Sequence, residues 1–285
     1  MSPKGGNLFS VFNIIFLSAL TLVTLYPMWR EAAVSFSGME EAMKGGLFLW
    51  PRDFTTDAYV NILHSRYLWL AYGNSLFITL VGTLIGVFLT AATAFPLIKQ
   101  DLPGKKMFVL LILFTMLFSG GIIPTYLLVK NVGLINSLWS LILPTVISAY
   151  NVIVMMSFFR TLPRELDESA TMDGAHAIRI FASVILPLSK PVLATIALWE
   201  AVGYWNNYLQ ALFYLNDKSK YVLPVLLRDI INGQTIAQMT GESTGSSTES
   251  VIAATTIMAV LPILIVYPFL QKYFVQGTLI GSVKA

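Results

Sequence analysis

The 285 residues contain no cysteine, and charge is scarce: only 12% of them are Asp, Glu, Lys or Arg. Without cysteine there is no disulfide and no Cys-ligated zinc or iron–sulfur centre. The two histidines, His64 and His176, stand too far apart in sequence to give a metal-ligand spacing. A soluble domain carries about 25% charged residues. That shortage, with 56% hydrophobic residues and a mean hydropathy of +0.71, identifies an integral membrane protein. The net charge is +3 and the basic residues are scattered, so the electrostatic footprint of a nucleic-acid binder is missing. A Walker A loop is missing too. Gly104-Lys105 lacks both the upstream glycine and the following Ser or Thr, so the chain binds no ATP through a P-loop.

Long apolar runs fill the space that charge leaves. A hydrocarbon core of about 30 Å needs about 20 apolar residues of helix, and six stretches meet that length: 8–29, 68–98, 107–129, 132–159, 191–215 and 251–270. The first is too long for the core of a signal peptide, and no A-x-A cleavage pattern follows it, so it is read as a retained span. The expected fold is all-α and integral to the membrane, a single transmembrane domain over residues 1–285 with six transmembrane helices. If the N-terminus is inside, ten of the 18 Lys and Arg fall in inner segments, which are also the shorter ones. That density places the N- and C-termini and the segment 162–190 in the cytoplasm.

The connecting segments carry their own signals. Within the external stretch 30–67, DFTTDAYVNIL reads as a short amphipathic helix capped by Thr55 or Thr56. Asp57 lies in its first turn and Tyr59, Ile62 and Leu63 near one face, as in a helix lying on the membrane surface. In SGGIIPTYLLVKNVGLINSLW, Gly120, Gly121 and Pro124 interrupt an apolar run. Broken backbone at membrane depth survives only against protein or a water-filled cavity, so this is either a pathway wall or a kinked helix ending in an external turn. Residues 216–250 hold NDKSK, a short helix closed by Gly233, and a flexible TGESTGSSTES loop that serves as connector or docking arm. Pro262 and Pro268 imply bending in the last span. The tail YFVQGTLIGSVKA is too apolar to hang free and is expected to pack on something cytoplasmic.

Two stretches stand out chemically. The first, 162–190, is the most charged segment among the apolar runs. Pro163 suits a first helical turn, with Arg164 and Glu165 following. Leu162, Leu166, Ser169, Ala170 and Asp173 recur at three- and four-residue spacings, and Ser169 and Ala170 are small enough for close approach by a partner. Gly174 can take φ > 0 and turn the chain into a second helix, 175–185, ended by Leu186-Pro187 and Pro191. This is either a helix gripped by a partner at the membrane surface or an ordinary cytoplasmic loop. The second stretch surrounds Glu200, an acid inside the fifth span, where an unpaired charge costs about 2.5–3.5 kcal/mol or more. By helical spacing Glu200 shares a stripe with Gly203, Tyr204, Asn207 and Ala211, bordered by Trp205, Asn206 and Tyr208. Amides and aromatic faces suit a hydroxylated solute in a pathway; alternatively Glu200 and Asn207 bond neighbouring spans together.

ESATMDGA followed by VILPLSKP resembles the EAA signature of ABC-importer permeases, E-A-A-x-x-x-G-x9-I-x-L-P. Glu168, Ala170, Gly174, Leu186 and Pro187 match directly, while Ser169 and Val184 depart mildly from it. The WNNYL run and the closing FVQGTLIGSVKA resemble carbohydrate importers, in particular the second permease of the maltose system, although Ala285 stands where a Gly is usual. The resemblance covers essentially the whole chain and implies the ABC importer type I transmembrane fold in a bacterial inner membrane. It implies that the chain is not an enzyme and holds no cofactor, ATP and Mg being bound by partner subunits. Those partners would be a second, homologous permease, two ATP-binding cassette subunits and an extracytoplasmic solute-binding protein, all within the lipid membrane or at its faces. The coupling helix around Glu165, Glu168, Ser169, Ala170, Asp173 and Gly174, with Leu186 and Pro187 after it, would seat in an ATPase cleft. SGGIIPTYLLVKNVGL resembles a branch associated with complex or acidic oligosaccharides, so alginate- or pectin-type fragments are the suggested cargo. Importers of peptides or amino acids, ATPase-independent carriers and lipid-modifying enzymes are the competing classes. The last lacks the acid or histidine clusters it would need.

Overall fold

The apolar runs fold as helices, but only half of them as unbroken ones. The computed structural model describes the backbone of residues 5–232 and 248–282, and the side chains of residues 9–232 and 248–266. Helix α1 (Gly5–Ser35) and helix α4 (Arg66–Ile98) are long and apolar enough to cross a bilayer singly, as is Thr248–Val266 within the last helix. Three bent helix pairs pass the same test of length and composition when taken together, so the described residues hold up to six spans. The fold is all-α.

The expected third span, 107–129, is two helices, α5 (Lys105–Leu117) and α6 (Ile122–Asn131), meeting at 112°. Gly121 sets the corner at φ +82, a backbone that L side chains resist, and its N–H donates to Ser119 Oγ at 3.2 Å. The expected fourth span, 132–159, starts later than its apolar run. Gly133 and Asn136 both take positive φ, so helix begins only at α7 (Trp139–Ile142). A 3-10 turn over Leu143–Thr145 then bends by 53° into α8 (Ala149–Phe159). Pro144 denies the turn an N–H, and Ser148 Oγ caps α8 by accepting from the Asn151 N–H.

Helix α9 (Glu165–Met172) follows, then α10 (Ala177–Ile180), which runs through a π turn at Phe181–Ile185 into α11 (Leu186–Leu188). The second polar helix thus continues past the expected stop at Leu186-Pro187, because Pro187 falls in the first turn of a new helical piece. An 82° bend at Ser189 leads into α12 (Lys190–Trp205). The expected fifth span, 191–215, is therefore not one helix. It stops at Trp205, where Asn206 Nδ2 turns back to Val202 O at 2.9 Å, and resumes as α13 (Leu209–Tyr214). Helix α14 (Leu223–Ile231) comes next, and α15 (Thr248–Ser282) continues through Pro262 and Pro268 as helix. Gly233, most of the TGESTGSSTES loop, the tail side chains of 277–284 and Ala285 lie outside the described residues.

The described residues gather into two compact units. One comprises Met1–Trp69 with Leu226–Ile263. Its core packs Ala33 and Val34 of α1, Ala42 of the short α2 (Met39–Met43) and Phe48 against Ala253, and Ser250 Oγ donates to Ser37 O at 3.0 Å. Here α3 (Asp57–His64) forms as expected, with Thr55 Oγ1 accepting from the Asp57 N–H. Its apolar face does not all lie on lipid, however. Ile62 is buried, and the Tyr59 ring packs tilted on Phe36 with centroids 4.7 Å apart, its hydroxyl 2.9 Å from Ser35 Oγ.

The other unit, Leu70–Val225 with Leu264–Ala285, is built along α4. Ala91, Ala94 and Phe95 join Met155, Phe159 and Ile196 in one apolar cluster, and Ile78 joins Leu141, Ile142, Tyr204 and Tyr214 in another. Asn136 ties down the chain after α13. Its N–H donates to Tyr214 O at 2.7 Å, its Oδ1 accepts from the N–H groups of Asn216 and Asp217, and Lys220 Nζ donates to its carbonyl at 2.7 Å. Asn74 Nδ2 adds bonds to Ser219 O and Tyr221 O, both at 2.9 Å. Asn136→Ala should lose about 2–4 kcal/mol, from two acceptor bonds and the left-handed backbone at φ +60. Asn136→Gly keeps the backbone and should lose less, and thermal unfolding in detergent ranks the two. Beside it, the N–H and hydroxyl of Ser219 hold the Asp217 carboxyl below its ordinary value of 3.8. That stabilisation is present in full above the ordinary value and is lost as pH falls through the lowered one.

Candidate functional site

Two places in the second unit gather the residues singled out by sequence. The first is α9. Glu165, Asp167 and Glu168 fill its first turn, where carboxylates oppose the helix dipole. Its end is a Schellman closure: the Ala175 N–H donates to Ala170 O and the Gly174 N–H to Thr171 O, both at 3.0 Å, with Gly174 at φ +79. The helix has an inner and an outer side. Leu162, Ala170 and Ala175 pack on the cluster around Phe95 and Phe159. Glu165, Glu168, Ser169 and Asp173 are exposed, together with the apolar Met172 (89%) and Ile178 (74%). Of the five residues that recur at three- and four-residue spacings, Leu166, Ser169 and Asp173 thus face outward, while Leu162 and Ala170 pack inward. Leu186 packs on the apolar cluster and Pro187 is exposed, both two helices further along the chain.

Sequence reading missed what holds α9 in place. Lys99 Nζ, at the end of α4, donates to both carboxylate oxygens of Asp167 at 2.5 Å and lies 4.9 Å from the Phe95 ring centroid. Lys105 Nζ donates to the carbonyls of Ile98 and Lys99, closing the same corner. A cleft of about 690 Å³ opens there, walled by Phe95, Lys99, Phe159, Arg164 and Asp167. Lys99 and Asp167 are 68 residues apart, and no periodicity pairs them.

The second place is a cavity of about 410 Å³ on α12. Glu200, Gly203, Tyr204 and Asn207 line it, as one helical stripe should, and Thr145, Ser148, Asn151, Trp199 and Gln210 complete the wall. Asn151 Nδ2 donates to Glu200 Oε1 at 3.2 Å, and Asn207 Nδ2 to Gln210 Oε1 at 2.8 Å. The other three candidates lie elsewhere. Trp205 is buried edge-on to Tyr72 at 6.4 Å, Asn206 caps the helix end, and Tyr208 packs on the Tyr204–Tyr214 cluster. Trp205 closes α12, and Asn206 and Tyr208 follow its end, where helical spacing no longer holds, although Asn207 still lines the cavity.

What brings α12 this close is α4. A Cβ on Gly82 would stand 2.6 Å from the Tyr204 ring, and one on Gly86 would collide with Glu200 Oε2 and reach Val146 O at 3.0 Å. The pair is a G-x-x-x-G spacing, the signal that would have found this contact. Glu200 Oε2 and the Tyr204 hydroxyl are buried there without a hydrogen-bond partner among the described residues. Those residues hold no group of three His, Asp or Glu suited to a metal ion.

Both places fall within a stretch that matches a known family. Residues 80–280 match the family described as binding-protein-dependent transport system inner membrane component. Protein LplC of Bacillus subtilis (strain 168) is 43% identical over 286 residues, covering 99% of this chain and 97% of its own. The polygalacturonan/rhamnogalacturonan transport system permease protein YtcP of the same strain is 41% identical over 283 residues, covering 98% and 99%. A crystal structure of a bacterial ABC transporter involved in the import of the acidic polysaccharide alginate contains a similar chain. It matches with a TM-score of 0.88 at 31% identity, covering 96% of this chain and 99% of that one.

Proposed function

Since the chain belongs to the binding-protein-dependent transport system inner membrane components and is a multi-pass permease subunit of a carbohydrate ABC importer, we propose that its cargo is an acidic oligosaccharide, an alginate or pectin fragment. It is a transport subunit and not an enzyme. The acidic cargo is supported by two relatives similar over nearly the whole chain, one named for polygalacturonan and rhamnogalacturonan and one for alginate.

The cavity on α12 carries the reading at the level of residues. Asn151, Asn207 and Gln210 bring amide groups to it, and Trp199 and Tyr204 bring ring faces that cover the apolar side of a sugar. Glu200 is turned toward the helices rather than left open on the wall: Oε1 accepts from Asn151 Nδ2, and Oε2 lies against Gly86. Glu200 is thus both lining and interhelical tie. Asn207→Ala should slow uptake of labelled trigalacturonate or an alginate trimer about tenfold, the value of one hydrogen bond to a charged group. Uptake of maltotriose in preference to both would replace the acidic reading with a neutral one.

The chain works as a single permease domain over 1–285, with 162–190 facing the cytoplasm together with both termini. A second, homologous permease completes the pathway, two ATPase subunits bind ATP and Mg, and a solute-binding protein delivers the sugar. Helix α9 seats in an ATPase cleft with its exposed face, Glu165, Glu168, Ser169 and Met172. Closure of the ATPases then moves α9, and the motion has two ways to the cavity. One runs through Asp167 and Lys99 to α4, and the other through α10 and α11 to α12. Asp167→Ala should lower sugar-stimulated ATP hydrolysis several-fold while the subunits stay assembled. The charge swap Lys99→Asp with Asp167→Lys should restore part of it, which Lys99→Asp by itself would not.

A further inference from the structure

The segment between α1 and α3 has an exposed apolar surface to which the proposed function gives no role. Counting about 20 residues of helix from Phe9 puts the end of a 30 Å hydrocarbon core near Trp29. The Arg30–Glu31 ion pair at 2.7 Å follows at once, as charge leaving the hydrocarbon should. Yet α1 continues to Ser35, about 9 Å further along its axis. Beyond it, Ser37 pairs with Phe54 in an antiparallel bridge, and the Gly38 N–H donates to Arg52 O at 3.1 Å. That pairing closes the base of a loop.

The loop then returns along the helix. Trp29 Nε1 donates to Leu49 O at 2.7 Å, and the Trp29 and Trp50 rings meet edge to face at 5.8 Å. Residues 47–50 are thereby held back at the level of Trp29. Phe48 is the inward anchor, fully buried, with the Arg52 guanidinium 4.7 Å from its ring centroid. Its neighbours Leu47, Leu49 and Trp50 point outward, exposed at 62%, 54% and 72%. Three large apolar side chains at the end of a membrane span, beside a cation and a Trp–Trp pair, have the composition of an interfacial belt. Arg52 also donates from Nη2 to Leu47 O at 3.0 Å, which fixes the loop's conformation before any partner arrives.

We propose that residues 47–50 are a lipid-facing foot, with Leu47, Leu49 and Trp50 in the boundary between headgroups and acyl chains beside the exit of α1. The foot clamps the first span at a fixed depth, and its ligand is the phospholipid surface rather than a protein.

The absence of native cysteine makes the test direct. Leu47→Cys and Leu49→Cys leave the Trp29–Trp50 pair intact and each give one labelling site; Thr56→Cys supplies an exposed reference at the cap of α3. Each variant is labelled with a nitroxide in the importer assembled with cysteine-free partner subunits and reconstituted into phosphatidylethanolamine–phosphatidylglycerol vesicles. Collision rates with oxygen and with a water-soluble nickel chelate are then compared. The expected ratio of oxygen to nickel accessibility is at least several-fold higher at positions 47 and 49 than at 56. A ratio equal to that at 56 would put the loop in water, and low accessibility to both reagents would put it under a protein partner. Either result overturns the proposal.

Discussion

With valine or aspartate in place of Gly174, the ATPase subunits should no longer co-purify with this permease from detergent. The two substitutions act for different reasons. A Cβ at position 174 meets nothing within 4 Å, so space is not the constraint. The backbone is: φ +79 is costly for an ordinary residue, by about 1–2 kcal/mol, and worse for a β-branched one. Gly174→Val would therefore open the Schellman closure and fray the last turn of α9, displacing Met172 and Asp173. Aspartate tolerates the left-handed region better, but Gly174→Asp adds a second carboxylate beside Asp173 on a surface that must be desolvated in the cleft. Asparagine keeps both the backbone and the charge, so Gly174→Asn should retain binding. The expected order of retained ATPase is glycine, asparagine, alanine, then valine and aspartate, with at least about a tenfold loss for the last two, as 1.4 kcal/mol or more requires. Retention by all five would separate α9 from ATPase binding.

Gly86→Val should abolish transport while leaving ATPase binding intact. The new side chain would strike the Glu200 carboxyl on one side and the Val146 carbonyl on the other, and the latter is backbone that cannot rotate away. Overpacking of this kind costs about 1–3 kcal/mol, and here it pushes α4 from α12 at the cavity. A compensating change separates the two collisions. Glu200→Ala in the Gly86→Ala background removes the carboxyl and should recover thermal stability in part, but not fully, because Val146 O remains. Gly82→Ala should behave similarly through the buried Tyr204 ring, which a Cβ there would meet at 2.6 Å. If Gly86→Val transports normally, the close approach of α4 and α12 does not shape the pathway.

Both predictions rest on glycines, and they were not equally legible. Gly174 announced itself by its place after an amphipathic stretch bounded by Pro163, so the helix and its cap could be read from local chemistry. Gly82 and Gly86 were visible as a spacing, but nothing local says which helix a small-residue stripe will meet. The same divide runs through the spans. Hydrophobic length marked where the chain enters lipid, because burial in hydrocarbon demands it. The 112° and 53° breaks were only punctuation in the sequence, since the apolar composition is the same on either side of Gly121 and Pro144. On α12 the stripe Glu200, Gly203, Tyr204 followed from helical geometry, and Asn207 lines the same cavity although the helix has ended at Trp205. Trp205, Asn206 and Tyr208, expected at the border of that stripe, are not among the lining residues. Asn151, the partner of Glu200, lies 49 residues away on another helix, a distance that only the tertiary fold closes.

The most direct measurement of the central claim, that α9 is where ATP hydrolysis reaches this chain, uses its freedom from cysteine. Met172→Cys, at an 89% exposed position in the last turn of α9, is treated with a short bifunctional maleimide in the assembled importer carrying a single cysteine in the ATPase cleft. The account predicts a cross-link between permease and ATPase whose yield changes when ATP is added. A cysteine at 172 that is modified freely by a water-soluble maleimide in the full complex, with no cross-link in either nucleotide state, would contradict it.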